Sequence, residues 1–179
     1  QIFLLVPLLL LLGCSGNTAT NWTIFSSGTP EQVKAEIAKL PEDSGLETRR
    51  ICDEPPLMRA ARSNSSPEVV RVLIRAGADV NAMDMEESGE TPLMAAAHKN
   101  SPEVVTALVK AGAEVDARSE KGETPLMIAA CSNSNPEVIT ALVKAGAEVD
   151  ARHEDDWTPL MVAAWRNSNP EVITALVKA

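Results

Sequence analysis

The sequence predicts an all-α repeat solenoid, and three observations carry that prediction. Thr91-Pro92-Leu93-Met94 recurs as Thr124-Pro125-Leu126-Met127 and Thr158-Pro159-Leu160-Met161, at steps of 33 and 34 residues, with a weaker copy at Pro55-Pro56-Leu57-Met58. A second block alternates with it: Pro67-Glu68-Val69-Val70, Pro102-Glu103-Val104-Val105, Pro136-Glu137-Val138-Ile139 and Pro170-Glu171-Val172-Ile173. Within each block apolar residues fall at helical spacing, as with Val104, Val105, Leu108 and Val109. Residues 135–145 and 169–179 are identical, so the period belongs to the architecture and not to chance.

The elements follow in chain order. Residues 2–12 form one apolar run, about 16 Å long as a helix at 1.5 Å per residue. A bilayer core is about 30 Å thick, so the run suits the core of a secretory signal and not a spanning helix. The chain opens at Gln1 without the positive segment such a signal carries, and its start is expected to be truncated. Leu11-Leu12-Gly13-Cys14 resembles the bacterial lipoprotein box, which is cut before the Cys. That resemblance implies a signal peptide over 1–13 and lipid on Cys14, with more than one acyl chain for stable anchoring. Ser15 after that Cys leans toward outer-membrane sorting by the same resemblance. Residues 14–28 are polar at first and read as a tether. Asn21 and Asn64 match the glycosylation acceptor pattern, which beside a lipoprotein box is coincidence.

From 29 onward each unit carries its own punctuation. Thr91, Thr124 and Thr158 are expected to cap a first helix, with Pro at its first position. Asn64, Asn100, Asn133 and Asn167 are expected to stop it through left-handed angles. Ser66, Ser101, Asn135 and Asn169 then start a second helix, which Gly77, Gly112 and Gly146 end. A short extended piece and a polar turn lead to the next unit. Residues 52–179 thereby resemble the ankyrin repeat family in four successive copies, starting near 55, 91, 124 and 158. The resemblance implies helix-turn-helix pairs with short β-hairpin fingers. Met58, Met94, Met127 and Met161 stand at the family's His position, so packing is expected to replace polar bracing there. Asp156 replaces the turn glycine that Gly122 keeps, and the finger around 85–89 is two residues longer than its neighbours.

The ends differ from the middle. An N-terminal cap is expected over 29–51, with Gln32 and Glu36 on a polar outer face where Val69 and Leu73 stand in the first full copy. The last helix repeats an internal one, with Val172, Ile173, Leu176 and Val177 expected to form an apolar flank open to water. A C-terminal cap is missing, and the natural protein is expected to continue past Ala179; packing on a partner or a second copy is the other reading.

Composition limits the chemistry. The 179 residues carry a net charge of −9, against the basic surface that nucleic acid or a polybasic membrane contact requires. Three Cys and two His leave little for a metal site. Arg62, His98, Cys131 and Trp165 read as four fillings of one variable surface position, not as catalytic groups. Cys52 and Cys131 lie two repeats apart, roughly 20 Å by helix spacing, and are expected as free thiols. No enzyme activity, cofactor, metal or small-molecule substrate is expected.

What remains is a protein-binding surface. The family resemblance implies a concave strip made of the fingers and the exposed side of each first helix. Here it takes Met85, Glu86, Glu87 and Glu90, then Glu120, Lys121 and Glu123, then Glu154, Asp155 and Trp157 from the fingers. Arg62, His98, Lys99, Cys131, Ser132, Trp165 and Arg166 come from the helices. Two readings of Trp157 and Trp165 stand: hot spots for a partner, or packing for a further repeat. The acidic fingers favour a partner with a basic patch, although a solvated face has the same composition. The function expected is a protein-interaction module on a lipid-anchored bacterial envelope protein; a non-selective structural scaffold is the alternative.

Overall fold

The computed structural model describes residues 23–39, 54–84, 88–99 and 101–179. The signal over 1–13, Cys14, Cys52, Met85, Glu86, Glu87 and Asn100 lie outside them. The described residues form ten helices: α1 (Ile24–Ser27), α2 (Pro30–Ile37), α3 (Pro56–Ser63), α4 (Pro67–Arg75), α5 (Pro92–Lys99), α6 (Pro102–Lys110), α7 (Pro125–Ser132), α8 (Pro136–Lys144), α9 (Pro159–Arg166) and α10 (Pro170–Val177). They stack in two layers, α1-α3-α5-α7-α9 inside and α2-α4-α6-α8-α10 outside, each helix touching its neighbour in the layer and its own partner. This is the all-α repeat solenoid the sequence predicts.

Local chemistry explains the repeat. The hydroxyls of Thr91, Thr124 and Thr158 accept from the N–H of Met94, Met127 and Met161 at 3.3–3.4 Å, as the cap expectation requires. The inner helices α3, α5, α7 and α9 are each eight residues long and carry small side chains. Ala60, Ala61, Ala96, Ala97, Ala129 and Ala130 are fully buried, which lets adjacent inner helices approach closely. Met58, Met94 and Met127 are buried as well, so thioether packing does replace polar bracing at three of the four positions. The outer helices α4, α6 and α8 end in Schellman geometry: in α6, Ala113 N–H bonds Leu108 O at 3.1 Å and Gly112 N–H bonds Val109 O at 3.0 Å. Gly112 takes φ +97° there, and Gly77 and Gly146 repeat it.

The asparagines stop the inner helices by a different device from the one expected. Asn64, Asn133 and Asn167 are extended, with φ of −97°, −89° and −91°, and none is left-handed. Their Oδ1 atoms accept from the N–H two residues on, at 2.9–3.0 Å, which turns the chain into the next helix. Their Nδ2 groups reach the preceding repeat: Asn64 to Gly28 O at 3.0 Å, Asn133 to Ala97 O at 3.1 Å, Asn167 to Ala130 O at 2.9 Å and Asn133 O at 3.0 Å. A side chain that satisfies two backbone groups at once gains more than a helix stop. At these three positions it fastens a repeat to the one before.

Three further expectations need correction. The tether does not run to 28, because Ile24–Ser27 is helical, Phe25 is fully buried and α1 packs on α3 as an inner helix. Glu36 is not on a polar outer face: it is 3% exposed, and its carboxylate pairs with Lys39 at 2.7 Å. Val33 and Glu36 point inward while Gln32 is exposed. The fingers are not β-hairpins with assigned strands among the described residues; pairs such as Ser119 N–H to Glu123 O (3.0 Å) and Gly122 N–H to Ser119 O (2.9 Å) close tight turns instead.

The C-terminal flank is likewise divided. Val172 and Leu176 are buried, and the open apolar surface is Leu160, Met161, Trp165 and Val177 at 39%, 50%, 68% and 68% exposure. Leu126 and Met127, the equivalents one repeat earlier, are at 0% and 1% because α9 covers them.

Asp156 adopts φ +65°, close to Gly89 at +65° and Gly122 at +72° in the same turn position. A side chain in the left-handed region costs energy that glycine avoids. Asp156→Gly is therefore expected to stabilise the protein by about 0.5–1 kcal/mol, read as a shift of the urea midpoint with unchanged slope. The ion pair lost is an exposed 3.8 Å contact to Arg152 and offsets little of this.

Candidate partner-binding surface

Two positions in each repeat form a ladder along the inner helices, where the family's concave face is expected. The first lies just ahead of the inner-helix cap and holds Glu54, Glu90, Glu123 and Trp157 in successive repeats. The second lies near the end of the inner helix and holds Arg62, His98, Cys131 and Trp165. Eight residues separate them, as in the Glu54–Arg62 and Glu90–His98 pairs, and two turns of helix bring them face to face. Each repeat contributes one rung.

The rungs change in chemistry along the solenoid. In the first, Arg62 Nε donates to Glu54 at 2.9 Å, with Arg59 Nε 3.6 Å from the other oxygen. Arg62 Nη2 continues to Glu90 at 3.2 Å, so one guanidinium spans two rungs. In the second, His98 Nε2 lies 3.4 Å from the other Glu90 oxygen. The third pairs Glu123 with Cys131, a half-buried free thiol. The fourth is aromatic: the Trp157 and Trp165 rings are 5.1 Å apart and tilted by 52°, and the Arg166 guanidinium lies 5.3 Å from the Trp165 centroid. These residues were legible one by one. Glu54 and Arg59 were missed, although the eight-residue spacing from Glu54 to Arg62 repeats that of the two Trp residues.

Glu90 is the electrostatic centre of the charged end. The His98 hydrogen bond holds its carboxyl below the ordinary value of 4.5, burial opposes this, and the Arg62 charge adds to the lowering. A carboxyl depressed in the fold contributes stability that is present above the ordinary value and lost as pH falls through the folded one. The stability difference between wild type and Glu90→Gln is thus expected to hold from about pH 7 to about pH 5 and to shrink below it, measured by urea unfolding across that range. A difference that stays constant down to about pH 3 would show that Glu90 gives no such linkage.

The fingers stand beside the ladder. Glu120 N–H donates to Ser88 O at 2.9 Å and Arg118 Nη1 to Arg152 O at 2.7 Å, so neighbouring turns hold one another in a row. A Cβ on Gly122 would stand 3.4 Å from Glu154 N, and its φ of +72° excludes other residues without strain. Glu120, Lys121, Glu154 and Asp155 are exposed on these turns, and Lys99 and Arg166 are exposed at the helix ends. Ser132 is half-buried. Among the described residues no group of three or more His, Cys, Asp or Glu is arranged to hold a metal.

The family model for ankyrin repeats, in three copies, matches residues 22–119 and 112–179. The chain belongs to the ankyrin repeat family. Ankyrin repeats are protein–protein interaction modules. The human protein "Ankyrin repeat and KH domain-containing protein 1" is 40% identical over 111 residues, a stretch covering 61% of this chain. The alignment takes in only 4% of that protein's length, so it bears on the ankyrin repeats alone.

Proposed function

We propose that these ankyrin repeats bind a partner protein selectively through the rungs and fingers of the concave face, on a bacterial envelope protein anchored by lipid at Cys14. The observation that carries the binding reading is the fourth rung. Trp165 is 68% exposed at a position that Arg62 and His98 occupy at 37% and 35% side-chain exposure in stacked repeats. That position faces solvent even where a following repeat covers the inner helix, unlike Leu126 and Met127. Exposed Trp beside Arg is the composition of an interface hot spot. The acidic fingers add a preference for a partner with a basic patch.

The test is a pull-down from solubilised envelopes with wild type beside Trp157→Ala/Trp165→Ala, both shown equally folded by circular dichroism. A protein kept by the first and lost by the second supports the reading, and equal recovery overturns it. Anchoring is tested by palmitate labelling and detergent partitioning of the protein and Cys14→Ser. Label and detergent-phase recovery lost together in the variant support lipid at that residue; unchanged partitioning overturns it. Outer-membrane placement is read by separating the two membranes. A second reading, a scaffold without selective contacts, is favoured by the open apolar surface at Leu160, Met161 and Val177. It predicts self-association by sedimentation and no Trp-dependent partner.

A further inference from the structure

We infer that the third rung of the ladder is the seat of an arginine side chain supplied by the partner, held between the Glu123 carboxylate and the Trp157–Trp165 pair. This rests on the concave-face reading above and names the chemistry that face selects. One position changes its partner from repeat to repeat. The carboxylates ahead of the inner helices in the first two rungs both pair with a cation of this chain: Glu54 takes Arg62 at 2.9 Å, and Glu90 takes Arg62 at 3.2 Å. Glu123 occupies the same position one repeat on, half-buried, with its backbone fixed by Ser119 Oγ 3.2 Å from its N–H. Its own rung offers a thiol in place of a cation, and its carboxylate makes no ion pair among the described residues. The first two rungs place a cation there, and none of the described residues provides one at the third.

The neighbouring rung completes the seat. Arg62 shows that a single guanidinium can lie along the ladder and serve two successive rungs. An arginine entering at the third rung and lying the same way meets Glu123 at one end and the indole rings at the other. Arg166, 5.3 Å from the Trp165 centroid, shows that this ring accepts a guanidinium. A planar fork that pairs with carboxylate and stacks on aromatics suits both ends of the seat, whereas a lysine ammonium serves only as a point charge. Glu120 and Glu154 on the flanking fingers add negative potential that guides a cationic segment inward.

A random-peptide library selected on the immobilised folded protein tests this, with each enriched peptide remade carrying citrulline in place of Arg. The expected result is enrichment of Arg-containing peptides that quench or shift Trp fluorescence. Citrulline is expected to abolish the signal, and Glu123→Gln to weaken it by about fivefold, with unchanged circular dichroism. Glu114→Gln, an exposed carboxylate off the rungs, should bind as wild type. Enriched peptides without Arg, citrulline forms that bind equally, peptides indifferent to Glu123→Gln, or no enrichment would each overturn the arginine seat. The two readings separate cleanly. If Trp165→Ala loses the partner and Glu123→Gln does not, the concave face stands and the seat falls; if neither variant loses it, both fall.

Discussion

Trp157→Ala/Trp165→Ala is expected to weaken partner binding by about 2 kcal/mol or more, roughly thirtyfold, with only a small loss of stability. The asymmetry comes from where the rings lie. Trp165 is 68% exposed, so its removal takes away little surface buried in folding. What disappears is a rigid pair, tilted by 52° at 5.1 Å, that presents aromatic area already ordered before a partner arrives. Titration of the captured partner against each single variant and the double resolves the effect. Because the rings touch, the two single losses should sum to more than the double loss, as coupled sites do. Wild-type affinity in the folded double variant would remove the fourth rung from the interface.

Asn133→Ala carries the largest expected loss of stability, about 3 kcal/mol. Asn133 is 4% exposed, donates to Ala97 O at 3.1 Å and accepts from Asn135 N–H at 2.9 Å. Alanine leaves a buried carbonyl and a turn N–H unsatisfied, each costing about 1–3 kcal/mol. Asn169→Ala is the control: its bond to Ser134 O at 2.6 Å lies in the solvent, and water can replace it. That change also removes the exposed cap bond that Asn169 Oδ1 accepts from Glu171 N–H at 3.0 Å, and is expected to cost about 1 kcal/mol. Urea unfolding of the two variants side by side measures the contrast, and equal midpoints would show that the buried bonds carry no special weight.

Much of this was legible before any coordinates, for a physical reason. Thr124 capping, Pro125 opening and Gly112 closing a helix are interactions among residues a few positions apart, so spacing along the chain specifies them. The burial of Glu36 was not legible, because a carboxylate four places after an exposed Gln32 reads as one polar stripe until its Lys39 pair is seen. Helix α1 escaped for a related reason: four residues with one large apolar side chain, Phe25, form no periodic pattern. The asparagines were assigned the right place and the wrong mechanism, since their decisive bonds cross about one full repeat, as from Asn133 to Ala97. The candidate surface divides the same way. Its helix column could be read residue by residue, but the Arg62–Glu90 link between rungs exists only once two repeats stack.

The bonds of Asn64, Asn133 and Asn167 point one way, from the amide of one repeat to a carbonyl of the repeat before it, whereas Asn81 Nδ2 donates forward to Gly112 O at 3.3 Å. A carbonyl left waiting at the growing end is wetted cheaply, whereas an amide donor without its earlier neighbour has lost its seat. For these three links assembly has a direction that coincides with synthesis: as the chain leaves the ribosome, the asparagine amide emerges after the acceptor it needs is already in place. These links can close like a zip, each one only after the repeat before it is in place.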